Sequence, residues 1–360
     1  MVFDKDRRFV AIGLWDPTSP IRLRILHAGK PRAIDSDHWQ DVIGRAYRSR
    51  QVLTRRGSNG WRLLHGENDG TGGLVIDRYD STLVCKVYSS CWLPHLSAVL
   101  EALVATVPTD RVVLRLGRLA AADRAVHEAG LRDGMVLRGD VLDGPVLFTE
   151  NGLTFEADVI NGQKTGHFLD QRDNRQMIKA TSEGARVLDV FSCTGGFSVH
   201  AAAGGATHVH SVDIAEPALA TAKRNMHHNR TVTGSVRHVT TTGDAFEVMD
   251  RLGRNGEQYD VVIIDPPSFA SKSSERDGAI RAYRKLSELG LPLVRPGGRL
   301  LQASCSSRVT EDDLVATVFS AVRSQGRSFR SYEVTGHALD HPITFPQGAY
   351  LKALTGIVDG

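Results

Sequence analysis

The stretch Val187-Leu188-Asp189-Val190-Phe191-Ser192-Cys193-Thr194-Gly195-Gly196-Phe197 decides how the second half of this chain folds. The run from Val187 to Phe191 is of strand length, and the glycine pair behind it marks a strand-to-helix turn. Working outward, the same unit repeats: a helix through His200, the strand-like HVHSVDI, the helix EPALATAKRNMHHNR, then SVRHVTTTGDA, YDVVIIDPP, a helix through Glu288 and GGRLLQASC. Strands alternating with helices predict a parallel sheet covered on both faces, a doubly wound Rossmann-like α/β fold. In such folds a ligand lies at the carboxyl ends of the strands.

Those strand ends carry acids. Asp189 precedes the Ser192-Cys193-Thr194-Gly195-Gly196 loop, where a ligand can approach a backbone that no Cβ shields, although a tight turn alone would also require glycine. Asp189 is placed to receive a cationic group. Asp213, at the end of the second strand and followed by Ile214, can accept both hydroxyls of a ribose. Asp244-Ala245 ends the third and is placed for an adenine amino group. A single strand-end acid is more often a helix cap, but three in order around one glycine loop suit a nucleoside bearing a positive centre. The loop lacks the G-x-G-x-x-G pattern of a nicotinamide site. S-adenosylmethionine is the common molecule that fits.

The first half reads differently. Residues 1–28 alternate like strands around Asp16-Pro17-Thr18-Ser19-Pro20, too few to bury a core without docking on something. The spacing of Trp39, Val42, Ile43, Ala46 and Val52 predicts a helix over about 34–56. Short strands, a helix over LPHLSAVLEALVATV and further strands complete a small α+β region ending near 147. The expected organisation is therefore 1–30, 31–150 and 151–360.

Composition excludes several classes. With 360 residues, 41% hydrophobic and 24% charged, the chain has the make-up of an ordinary globular protein. Its apolar runs are strand-sized, so no membrane span is expected. The beginning, MVFDKDRRFVAIGLWD, lacks the apolar core of a secretory signal. Four cysteines, Cys85, Cys91, Cys193 and Cys305, show no metal-type pairing and are too few for a disulfide framework, which fits a reducing cytoplasm. The net charge of +3 is small, yet Arg45, Arg48, Arg50, Arg55, Arg56 and Arg62 follow one another with no acid between Asp41 and Glu67. Such a run is either a solvated helix face or a phosphate-contacting surface.

With these residues in view, the chain resembles the class I S-adenosylmethionine-dependent methyltransferases: DVFSCTGG as first motif, Asp213 and Asp244 next, and Asp265-Pro266-Pro267-Ser268-Phe269 as the fourth. The segment Asn161 to Arg175, NGQKTGHFLDQRDNR, resembles the bacterial 23S rRNA methyltransferases, and a cysteine in the sixth motif resembles specifically the RlmI-type 5-methylcytosine enzymes. The likeness extends over the whole chain, including HGENDGTGGLVIDRYD and DHPITFPQGAYLKAL. It implies that Lys164, Thr165, Phe168 and Gln171 cover S-adenosylmethionine, with Asp189, Phe191, Ser192, Thr194, Gly195, Gly196, Asp213, Ile214, Asp244, Ala245, Asp265 and Pro266 lining its site. It also implies a PUA-like RNA-binding barrel at the N-terminus, of which residues 1–30 supply only the later strands, since the chain begins inside the expected domain.

The sixth-motif cysteine has a chemical reason. Cytosine C5 is a poor nucleophile until a thiolate adds to C6 and makes C5 enamine-like, a form of covalent catalysis. Cys305, after Leu300-Leu301-Gln302-Ala303-Ser304, is expected to be that thiolate, although a cysteine considered alone is usually a small buried hydrophobe. Asp265 would bind the N3/N4 edge and supply a proton to N3. In another bacterial group a second cysteine follows the fourth-motif proline; here Ser268 stands there, so the base that removes the C5 proton is unassigned. Cys193 reads as packing.

The base must leave its stack or start in a loop to be reached. Arg45, Arg48, Arg55 and Arg308, together with Lys272 and Arg276, are the expected RNA contacts. The expected partner is 23S rRNA or a large-subunit precursor, and the expected state a monomer or homodimer. Two rivals stand beside this reading: a guanine-N2 methyltransferase of 23S rRNA, whose chemistry needs no thiol, and a non-catalytic RNA-binding or assembly factor.

Overall fold

The computed structural model describes all 360 residues, which gather into two compact units, 1–169 with 339–344 and 170–338 with 345–360. No helix is long and apolar enough to cross a membrane.

The first unit opens with β1 (Val2–Phe3), β2 (Phe9–Trp15) and β3 (Leu23–Ala28), an antiparallel sheet in that order. Helix α1 (Ser36–Arg55) follows, begun by Asp35, whose side chain accepts the His38 N–H at 3.1 Å. Next come β4 (Gly60–His65), β5 (Leu74–Tyr79), β6 (Thr82–Val87), α2 (Leu96–Thr106), β7 (Arg111–Leu116), α3 (Arg118–Ala121), α4 (Arg124–Glu128) and β8 (Val136–Arg138). Strands β4 to β8 form one sheet in chain order. Its only parallel pair, β6 with β7, is joined through α2, because a parallel step needs a crossover. The hairpin β9 (Val146–Glu150) and β10 (Leu153–Ala157) stands as a separate two-stranded sheet.

The expected pieces 1–30 and 31–150 share one core. Leu14 and Leu26 of the N-terminal strands sit in the same buried cluster as Trp39, Ile43, Leu63, Ile76 and Trp92. A sheet this small cannot bury its own face, and it gains that burial by joining its neighbour's cluster. Residue 150 falls at the turn of the β9–β10 hairpin, whose Phe148 ring packs 5.0 Å from Tyr79. The first unit accordingly runs on to Leu169.

The second unit is the doubly wound domain expected from the sequence. It comprises α5 (Arg172–Ala180), β11 (Arg186–Val190), α6 (Gly196–Ala203), β12 (His208–Asp213), α7 (Glu216–His228), α8 (Arg230–Thr233), β13 (Arg237–Thr242), α9 (Ala245–Arg254), β14 (Tyr259–Ile264), α10 (Arg276–Gly290), β15 (Val294–Ser304), α11 (Glu311–Ser324), β16 (Ser328–Thr335) and β17 (Lys352–Asp359). The sheet order is β13-β12-β11-β14-β15-β17-β16, and β17 runs antiparallel to both its neighbours. The chain winds outward from β11 first towards β13 and then towards β15, so the topological switch point lies between β11 and β14. The strand ends at Val190, Asp213, Thr242, Ile264 and Ser304 all belong to this half. The central strands are largely apolar, as burial on both faces demands: Leu188, Val190, Val262, Ile264 and Leu300 lie in one buried cluster.

Candidate active site at the carboxyl ends of the parallel strands

The loop after β11 holds two non-glycine residues with left-handed backbone, Phe191 at φ 63° and Cys193 at φ 48°. Such conformations cost about 1–3 kcal/mol each and cluster at functional sites. A Cβ on Gly195, itself at φ +77°, would lie 2.8 Å from Cβ of Ala222 on α7, and one on Gly196 would meet the Arg175 side chain at 3.0 Å. The close approach of α7 and the positive φ call for glycine at 195, whereas at 196 the Arg175 side chain would have to give way.

Asp213 receives the Cys193 N–H on Oδ2 at 2.8 Å and the Ala215 N–H on Oδ1 at 2.9 Å, which ties the first two strand ends together. Ile214 beside it is 72% exposed, an open apolar face where burial would be normal. Asp244 is the N-cap of α9, its Oδ1 accepting from Phe246 and Glu247, so the common role of a strand-end acid is realised here through one oxygen. Ala245 begins that helix and is buried.

Asp189 is the unusual member. It is fully buried; Oδ2 accepts from the Ser198 hydroxyl at 2.6 Å and the Ser198 N–H at 3.0 Å, while Oδ1 is buried without a hydrogen-bond partner. Burial pushes its carboxyl up to about 7, against the Ser198 hydrogen bonds, and the negative charges of Asp265 and Asp213 add to the rise. A buried carboxylate next to two others suits a ligand that carries positive charge.

The fourth and sixth motifs face each other across β14 and β15. The Cys305 thiol lies 3.8 Å from the Pro266 carbonyl and is half-buried. Asp265 Oδ1 accepts from Gln171 Nε2 at 2.9 Å. Gln171 is in turn held by Asn174 at 2.5 Å, and Asn174 by the Thr335 hydroxyl at 2.6 Å. Sequence reasoning placed Gln171 on the cofactor but did not find this relay, because its members lie far apart in the chain. It also missed Ser306, whose buried hydroxyl accepts the Phe269 N–H at 3.0 Å and meets Ser268 at 3.1 Å and Tyr283 at 2.9 Å. Ser306 thereby pins the fourth-motif loop to the residues flanking Cys305. Cys193, by contrast, is pushed up to about 11 by burial and by Asp213, so it stays a thiol.

Some expected site residues have other occupations. In the first unit the Thr165 hydroxyl donates to Asp77 at 2.5 Å and lies 3.1 Å from the Tyr79 hydroxyl. Lys164 sits over the Phe168 ring at 4.1 Å, with left-handed backbone at φ 52°. Two arginines of the basic run are paired: Arg50 with Asp69 through two bonds of 3.0 and 2.6 Å, and Arg62 with Asp77 through two of 2.8 and 2.9 Å. Arg45, Arg48 and Arg55 remain exposed on α1, and Arg308 is exposed after β15. Arg276 is engaged by Asp313 at 2.6 Å.

A fold with this switch point and these strand-end acids defines a class I methyltransferase, and the comparisons agree. A family model described as S-adenosylmethionine-dependent methyltransferase matches residues 134–347. The ribosomal RNA large subunit methyltransferase of Deinococcus radiodurans is 47% identical over 98% of this chain and 87% of its own length. The ribosomal RNA large subunit methyltransferase I of Pseudoalteromonas translucida is 34% identical over 98% and 88%. Among solved structures, one described as an S-adenosylmethionine-dependent methyltransferase from Streptococcus mutans superposes with a TM-score of 0.81 at 21% identity, covering 99% of this chain and 90% of that one. Another methyltransferase, solved with S-adenosylhomocysteine, gives 0.79 at 22% identity, covering 93% and 85%; at such identities the likeness is one of fold. The chain belongs to the S-adenosylmethionine-dependent methyltransferases, in the family of the large-subunit ribosomal RNA methyltransferases I. S-adenosylmethionine is its cofactor.

Proposed function

We propose that the protein makes 5-methylcytosine in large-subunit ribosomal RNA through a covalent bond between Cys305 and cytosine C6. The observation that carries this reading is the thiol itself, which directly follows β15 and lies against the carbonyl of Pro266, the residue after Asp265. Methylation of an exocyclic amine needs no such thiol.

Asp189, Asp213, Ile214 and Asp244, with the Phe191–Gly196 loop, would hold S-adenosylmethionine, with Ala245, Pro266 and Gln171 beside it. The bound cofactor supplies an electrophilic methyl group. The unpartnered Oδ1 of Asp189 and the open face of Ile214 are what a cationic nucleoside would use. The Cys305 thiolate forms a bond to C6, and the C5–C6 π electrons become available at C5. Asp265, held by Gln171, binds the N3/N4 edge and supplies the proton that N3 takes up. After C5 is methylated, its proton passes to solvent and N3 returns its own proton to Asp265, so that the C5–C6 double bond re-forms and the thiolate is expelled. Ser268, tied to Ser306, is too weakly acidic to replace a second thiol there.

Exposed Arg45, Arg48 and Arg55 on one side of α1, with Arg308, would meet RNA phosphates. The N-terminal strands would act as a PUA-like RNA-binding segment, and the enzyme would work in the cytoplasm. Nucleoside mass spectrometry on unmodified 23S rRNA, incubated with S-adenosylmethionine and either wild type or Cys305→Ala, tests the reading. 5-Methylcytosine from the wild type alone supports it. N2-methylguanosine from both proteins overturns it.

A further inference from the structure

Lys352 is a buried lysine to which the sequence reading gives no role. It begins β17, in register opposite Ser304 on β15, and is only 5% exposed. Its ammonium donates to the Ser306 carbonyl at 2.5 Å and to the Tyr350 carbonyl at 3.0 Å, so two of its three donors are spent on backbone oxygens, one of them immediately after Cys305. No carboxylate lies within ion-pair distance of it. An isolated buried ammonium is costly, and lysines are rarely kept inside without a partner or a task.

We infer that Lys352 is a positioning residue whose ammonium, fixed beside the end of β15, holds Cys305 in the thiolate form. The proposal rests on Cys305 being the nucleophile. Lys352 forms no bond to RNA. The thiol proton passes to solvent, the sulfur pair forms the bond to C6, and on elimination the pair returns to sulfur, where the same ammonium stabilises it again. A cation next to a cysteine lowers its pKa by favouring the charged form.

The other groups around the thiol do not supply that charge. Tyr283 on α10 faces it with a hydroxyl that burial keeps protonated, and Asp265 after β14 is an acid. Asp313 on α11 is paired with Arg276, and Arg308 is exposed. Burial brings the Lys352 ammonium down to about 8, while Cys305 and Asp313 act to raise it, which leaves it charged at neutral pH.

The test reads the thiol directly, without methyl transfer. The full chain is alkylated with iodoacetamide from pH 5 to 10, and modification of the Cys305 peptide is followed by mass spectrometry in wild type, Lys352→Met and Lys352→Arg, each checked for an intact urea unfolding transition. The expected result is a pH midpoint at least about one unit higher in Lys352→Met, equivalent to an alkylation rate at pH 7 about tenfold lower, with Lys352→Arg close to wild type. Should Lys352→Met not fold, Lys352→Gln removes the charge while keeping a donor. Superimposable midpoints in wild type and the uncharged variant overturn the inference. The Cys305→Ala nucleoside assay judges the nucleophile separately: a shifted midpoint with methylation undiminished in Cys305→Ala would sink the covalent reading and leave the lysine–thiol pairing intact.

Discussion

Asp77 in the first unit and Asp189 in the second are both fully buried carboxylates, yet their surroundings are opposite. Asp77 is gripped by both arms of the Arg62 guanidinium and by the Thr165 hydroxyl. Asp189 has only the two Ser198 donors on one oxygen and two further acids for company. The first arrangement compensates its charge internally and holds a fold together. The second leaves negative charge uncompensated at the end of β11, a stability cost that a cationic ligand there would offset.

Breaking the first arrangement should have the largest effect on stability. Arg62→Ala leaves Asp77 buried without its cation and should destabilise by about 3–5 kcal/mol, read from urea unfolding. A change below about 1 kcal/mol would mean that the pair is not the anchor the geometry indicates.

Asp189→Asn should act with the opposite sign. The Asp189 carboxyl titrates near 3.8 unfolded and about 7 folded, so folding favours its protonated form. It imposes no penalty below 3.8, and its penalty grows as pH rises through that window until it is complete above about 7. Asparagine keeps an oxygen for Ser198 and carries no charge. The cofactor-free variant should therefore be more stable than wild type at pH 8, by on the order of a few kcal/mol, with the gap closing towards pH 4. Thermal melts across this range, taken without S-adenosylmethionine, check it; a gap independent of pH would refute the charge argument.

Smaller effects sharpen the contrast inside the second unit. Thr335→Val removes the last donor of the relay to Asp265 through Asn174 and Gln171. Methyl transfer should slow by about threefold to tenfold, corresponding to roughly 1 kcal/mol for one hydrogen bond, while the affinity for S-adenosylmethionine in a calorimetric titration stays level. The smallest intrinsic effect belongs to the exposed arginines. Arg45→Gln with Arg48→Gln and Arg55→Gln should leave turnover at saturating RNA intact and flatten the salt dependence of RNA binding by about 0.7 in log–log slope for each phosphate that is no longer neutralised. An unchanged slope would return that run to a solvated helix face.

Much of the second unit could be read from one dimension. Strand-length apolar runs between helical stretches specified a parallel sheet, and acids at their ends marked its ligand edge, because both signals depend on local spacing. The division of the first half could not be read that way. Leu14 and Leu26 belong to strands expected to dock on something, and only the fold shows that they join one cluster with Trp39 and Trp92. Arg50 and Arg62 belong to a basic run in sequence and to ion pairs in space. Thr165 lies in a cofactor-type motif and serves a structural network.

The sequence by itself determined the doubly wound fold, S-adenosylmethionine as the cofactor and the presence of a thiol at the end of a strand. Those follow from periodicity and from side-chain chemistry at fixed offsets. Only the tertiary structure decided which charges are compensated: that Asp189 has an oxygen without a partner, that Gln171 holds Asp265, and that the ammonium of Lys352 comes to rest beside the residues around Cys305. Burial and pairing depend on strands and helices distant in the chain, and a charge's energy is set by what surrounds it rather than by its neighbours in sequence.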